Sequence, residues 1–226
     1  PTTNQDTTAP AADDSAAQPD HTPALVVAIG ASAGGHAPLE QIFTRFPADT
    51  GLAFVVLMHL AADAPSHLPD LLRHYSCLPV VTAEEDMAVQ AHYVYVIPPG
   101  QHLTMHGGCL HLNPVASDSG RHHAIDLFLA SLAEDQGENS VAVILSGFGN
   151  DGSLGVQRIK EAGGMVLVQE PQTAINSSMP EHAINTGAVD LILPAEEMAG
   201  HLQDMASGWA GDRANARIAL DGPHNE

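Results

Sequence analysis

Residues 25–35, Leu-Val-Val-Ala-Ile-Gly-Ala-Ser-Ala-Gly-Gly, constrain the fold more than any other stretch. Five apolar residues stop at a glycine-rich turn. An amphipathic pattern follows, with Leu39, Ile42, Phe43 and Phe46 at i, i+3, i+4 and i+7, closed by Pro47. Such a run ended by glycines reads as a buried strand entering a helix through a sharp turn. The unit recurs. Residues 53–58, 141–145, 165–168 and 189–193 are strand-sized apolar runs, and helices are expected over 66–74, 125–135, 180–186, around Val156 and Ile159, and from Ala195 to about Met205. Repeated strand–helix units predict a doubly wound α/β fold, a mainly parallel sheet with helices on both faces. Between them lie short β-prone runs at 80–81, 93–97, 103–105 and 109–112, punctuated by Pro98-Pro99-Gly100 and Gly107-Gly108. The last two runs read as a hairpin, and the stretch predicts a short antiparallel hairpin excursion near residues 94–112, an edge or an excursion on the otherwise parallel sheet.

The ends differ in texture from the middle. Residues 1–22, mostly Thr, Ala, Asp, Gln and Pro, have the composition of a disordered tail or linker. Residues 206–226, rich in Gly, Asp and Asn, read as a polar linker, which leaves 23–205 as one domain. Seven basic against 27 acidic residues give a net charge of −20. That balance argues against nucleic acid, whose phosphates require Lys and Arg to displace counterions, and against anionic membrane surfaces. No apolar run approaches the ~20 residues of a membrane span, and no signal-peptide pattern opens the chain. With two cysteines, Cys77 and Cys109, there is no disulfide framework, and the expected setting is cytoplasmic. Fourteen histidines are scattered rather than clustered, so no metal site is assigned.

In doubly wound sheets, ligands bind beyond the carboxyl ends of the strands. The Gly30–Gly35 turn lies there, at a helix N-terminus that favours negative charge. Two uses compete. A dinucleotide cradle requires Gly-x-Gly-x-x-Gly and an acid closing the second strand. Here Ser32 replaces the middle glycine, and the second strand closes with Met58-His59-Leu60. A nucleophile requires a base and an orienting acid on neighbouring strand ends. Ser32, His59 and Asp151 all fall at strand ends on one rim. Individually each has a plainer reading: His59 as a satisfied polar group, Asp151 as a helix N-cap in a Gly-Asn-Asp-Gly turn. Asp126, early in a helix, is expected to stabilise the dipole of that same helix.

Several ordered blocks together resemble the catalytic domain of chemotaxis receptor methylesterases (CheB-type). They are Ile-Gly-Ala-Ser-Ala-Gly-Gly (29–35), Val-Val-Leu-Met-His-Leu (55–60), Val-Tyr-Val-Ile-Pro-Pro-Gly (94–100), Leu-Ser-Gly-Phe-Gly-Asn-Asp-Gly (145–152), Gln-Glu-Pro-Gln-Thr-Ala (169–174), Met-Pro (179–180) and Thr-Gly-Ala-Val-Asp-Leu-Ile-Leu-Pro (186–194). The resemblance implies that Ser32 is the nucleophile, His59 the base and Asp151 the third member of the triad. It implies hydrolysis of glutamate methyl esters on chemoreceptor helices, with deamidation of certain glutamines, and no cofactor. Ala33, Gly34, Phe148 and Met179 are then oxyanion or substrate-cleft candidates, and Gly34 and Gly35 would let an ester-bearing helix approach closely. Family members commonly carry Met at position 148, Thr at 33 and Arg at 181; this chain has Phe148, Ala33 and Glu181. Blocks 132–138 and 159–164 look most like the methylesterase half of fused methylesterase–methyltransferase sensory proteins, so fused methyltransferase or sensor domains are expected partners beside methylated receptor helices. The alternative is a catalytically idle regulatory or docking module of a larger sensory protein.

Overall fold

A computed structural model describes residues 22–58, 66–115 and 123–220, the last twelve of them as helical backbone only. The strands are β1 (Leu25–Ala31), β2 (Leu52–Met58), β3 (Val80–Thr82), β4 (Met87–Ala88), β5 (Val94–Val96), β6 (Gln101–His106), β7 (Cys109–Pro114), β8 (Ser140–Ile144), β9 (Met165–Gln169) and β10 (Leu191–Leu193). The helices are α1 (His36–Phe43), α2 (Leu68–Tyr75), α3 (Ala124–Gln136), α4 (Ser153–Glu161), α5 (Ser178–Asn185) and α6 (Ala195–Leu220). Seven strands form one sheet in the order β10-β9-β8-β1-β2-β5-β3, and every neighbouring pair runs parallel.

The strands are apolar throughout because both faces are covered. Along β1, Leu25, Val27, Ile29 and Ala31 point into one core with Leu39, Ile42, Leu72, Met198 and Leu202, so α1, α2 and α6 cover that face. Val26 and Ala28 point into the other, with Ile125, Phe128, Val156, Ile159 and Ala183, so α3, α4 and α5 cover the opposite face. Chain order reverses between β1 and β8: β2 lies on one side of β1, while β8, β9 and β10 lie on the other. The crevice of such a sheet opens at that reversal.

Three details depart from the sequence reading. The runs at 103–105 and 109–112 form the expected hairpin, β6–β7, but it makes a separate three-stranded sheet with β4, and residues 94–96 belong to the parallel sheet. Its Leu103, Met105 and Leu110 pack against the α3 side, so the excursion lies over a face rather than along an edge. Helix α1 ends at Phe43, ahead of Phe46. Phe46 still enters the core, where its ring centroid lies 4.7 Å from that of Phe54 and 6.2 Å from that of Phe43. Helix α6 runs past Met205 to Leu220, into the stretch read as a polar linker. Among the described residues, no helix is long and apolar enough to cross a membrane.

Candidate active site

Ser32 follows the last residue of β1, and the loop from Leu145 to Gly152 follows β8, its neighbour. Both therefore stand at the reversal of strand order. The two loops are tied together: the Ser32 N–H donates to the Ser146 carbonyl at 3.0 Å. Ser146 is fully buried, and its hydroxyl donates to the Ala33 carbonyl at 3.0 Å while accepting the Asn176 N–H at 2.9 Å. The Asn176 side-chain amide reaches the same Ala33 carbonyl at 3.0 Å. Gln169, also buried, accepts the Ser146 N–H at 2.9 Å. A third segment, after β9, thus braces the serine turn. Sequence reasoning assigned Ser146, Gln169 and Asn176 no role. The only signal for them was that Ser146 and Gln169 lie within the Leu-Ser-Gly-Phe and Gln-Glu-Pro blocks and Asn176 just after the latter.

The glycines of the turn serve this bracing. Gly34 has φ +86°, and a Cβ there would stand 2.6 Å from Ser146 Oγ and 2.7 Å from Ile175 Cβ. A Cβ on Gly35 would meet Ala31 Cβ at 2.7 Å. The absent side chains therefore make room for the protein's own loops, which is a different reason from the approach of a substrate helix. Gly147 is as confined: a Cβ would lie 2.1 Å from Met179 Sδ and 2.9 Å from Ser32 Cβ. Met179 is thus a fully buried wall behind the serine turn. Phe148, beside it, is 64% exposed. Among the described residues, no acceptor takes the backbone N–H of Ala33 or Phe148, so both donors are available to a ligand.

Asp151 is buried, 3% exposed, and the N-cap of the helix it precedes is Gly152. Its Oδ2 accepts the Ile125 N–H at 3.0 Å and its Oδ1 the Asp126 N–H at 2.9 Å, in the first turn of α3. Asp126 in turn accepts the Leu154 and Gly155 N–H groups of α4 at 2.9 and 2.8 Å through Oδ1. Asp126 thus stands in the first turn of α3, as expected, and in addition holds N–H groups of α4. Burial raises the Asp126 carboxyl above the ordinary aspartate value, and the charge of Asp151 adds to the rise, against the pull of the Gly155 and Leu154 N–H groups and of His123. His59 lies outside the described residues; β2 ends at Met58, which pairs with Ala31, the residue before Ser32.

Among the described residues, two groups bring His and acidic ligand atoms within 4.8 Å of one another: Glu85, Asp86 and His111, and His123, Asp126 and Asp151. In the first, Glu85 binds His111 Nδ1 at 3.1 Å and the Leu112 N–H at 2.6 Å. In the second, three of the four carboxylate oxygens hold helix N–H groups. Both donor sets are occupied with structural bonds.

A family model for CheB methylesterase matches residues 27–202. A protein-glutamate methylesterase/protein-glutamine glutaminase of Moorella thermoacetica is 31% identical over 189 residues, covering 81% of this chain and 44% of that protein. A namesake from Carboxydothermus hydrogenoformans is 34% identical over 187 residues, covering 78% of this chain and 55% of its own length. The chain thus spans about half the length of the curated relatives it matches. The solved CheB methylesterase catalytic domain of Thermotoga maritima aligns with a TM-score of 0.73 at 30% identity, over 80% of this chain and 98% of that one. With its model matched over most of its length and its fold shared with a solved catalytic domain, the chain belongs to the CheB methylesterase family.

Proposed function

We propose that this domain hydrolyses glutamate methyl esters on the cytoplasmic helices of chemoreceptors, and deamidates glutamines there, through Ser32, His59 and Asp151. The observation that carries the reading is the buried Asp151 carboxylate, in a loop that is tied through Ser146 to the serine turn at the reversal of strand order. In this mechanism Ser32 Oγ attacks the ester carbonyl as His59 takes its proton, and Asp151 holds the imidazole tautomer. The Ala33 and Phe148 N–H groups receive the oxyanion, and losing one such donor costs about 3 kcal/mol. Methanol leaves with the proton from His59, and water then resolves the acyl-enzyme.

The partners that go with this reading are methylated receptor helices and, in the intact protein, fused methyltransferase or sensor domains, in a cytoplasmic setting. Residues 23–205 are the catalytic domain, and α6 carries the chain on to Leu220. Glu181 and Phe148, which replace the arginine and methionine common in the family, stand at the cleft as specificity determinants. Methanol release from methylated receptor is the test: the natural chain should release it, and Ser32→Ala should lower the rate by at least a thousandfold, as loss of a triad member does. A natural chain without activity would favour the idle docking module instead.

A further inference from the structure

The two helices that flank the candidate triad acid have exchanged their capping carboxylates. Asp151 stands one residue ahead of Gly152, the N-cap of α4, yet both its oxygens hold N–H groups of α3. Asp126 is in the first turn of α3, yet its Oδ1 holds two N–H groups of α4. The helices can approach this closely because residue 155 is glycine: a Cβ there would stand 2.5 Å from Leu129 Cβ and 3.2 Å from Asp126 Cα.

The bonds close a ring. From Asp151 the path runs through Ile125 and Asp126 backbone to the Asp126 side chain, on to the start of α4, and back through Gly152 to Asp151. We propose that Asp126 is a positioning residue for ester hydrolysis: by fastening the start of α4 to α3, it fixes where the Asp151 carboxylate stands. The inference rests on the triad reading above. The α3 N–H groups hold the Asp151 carboxylate. Its own backbone belongs to the α4 entry, so any shift of that entry moves the carboxylate relative to the rim. Asp126 removes that freedom from the other side, and its side chain is itself only 12% exposed. Each Asp151 oxygen accepts one N–H from the first turn of α3.

The test compares Asp126→Ala, Asp126→Asn and Ser32→Ala in methanol release from methylated receptor, per mole of folded protein. Asp126→Asn keeps an oxygen for the Leu154 and Gly155 N–H groups. Asp126→Ala should lower kcat about tenfold to a hundredfold with KM nearly unchanged, the scale on which misplacement of a catalytic group acts. Asp126→Asn should restore kcat to within about threefold of the natural chain. Asp135→Ala is the control for lost stability, since Asp135 caps the Gly107 and Gly108 N–H groups of the hairpin turn; it should lower the melting temperature and leave kcat alone. An Asp126→Ala kcat within twofold of the natural chain overturns the inference, as does an Asp126→Asn that is as impaired as Asp126→Ala. If Ser32→Ala retains its rate, the triad reading fails and this inference falls with it. If Ser32→Ala is dead but the Asp126 variants are normal, the inference alone fails.

Discussion

At the scale of single residues, the serine turn is held by contacts that leave no room for ordinary side chains. Gly34→Ala combines a left-handed φ with overlap on Ser146 Oγ and Ile175, and should cost about 1–3 kcal/mol in urea unfolding. Because Ser146 also anchors the Ala33 carbonyl, the same change should reduce ester hydrolysis more than the stability loss explains. Ser32 and Asp151 could be singled out as candidates from sequence because ligands in such sheets bind beyond the strand ends, where the glycine turns lie. Ser146, Gln169 and Asn176 could not. Their roles arise from bonds that span 23 to 143 positions of chain, and no local pattern encodes such a meeting. Asp126 was visible as an acid in a first helical turn, but which helix it serves depends on the packing of α3 on α4.

Among the elements, the strands of the parallel sheet were legible because burial on both faces leaves continuous apolar runs. The hairpin was legible as a hairpin but not as a separate sheet, since its short alternating runs suit an edge or a face equally. Its outer side carries a pair that should make it pH-dependent. The Leu112 N–H, and then the His111 ring, hold the Glu85 carboxyl below its ordinary value of 4.5. The bond to Glu85 holds His111 above its ordinary value of 6.5. The Glu85 contribution is fully present above pH 4.5 and is lost as pH falls through the lowered value. That of His111 is fully present below pH 6.5 and is lost as pH rises through the raised value. Amide exchange at Leu112, corrected for its intrinsic pH dependence, should therefore be slowest between pH 4.5 and 6.5. Glu85→Gln should flatten that minimum. The pair is exposed, so the effect belongs to the hairpin and should barely move the global melting temperature.

For the molecule as a whole, charge is the dominant long-range property. A net charge of −20 repels an acidic partner at a distance and attracts a basic one. With an acidic receptor segment carrying a methyl ester, kcat/KM should rise about two- to tenfold between 20 and 300 mM salt, as screening shortens the reach of that repulsion. A fall over the same range would mean that a basic surface of the substrate is what this domain meets. The order of the main sheet has a further consequence. Its outermost strands, β10 and β3, are three residues each, while β1 and β2 at the centre have seven. An unpaired border that short offers a stray chain too few N–H and C=O groups to template growth. The long apolar strands are sealed in the middle, and among the described residues the sheet presents only short borders to solvent.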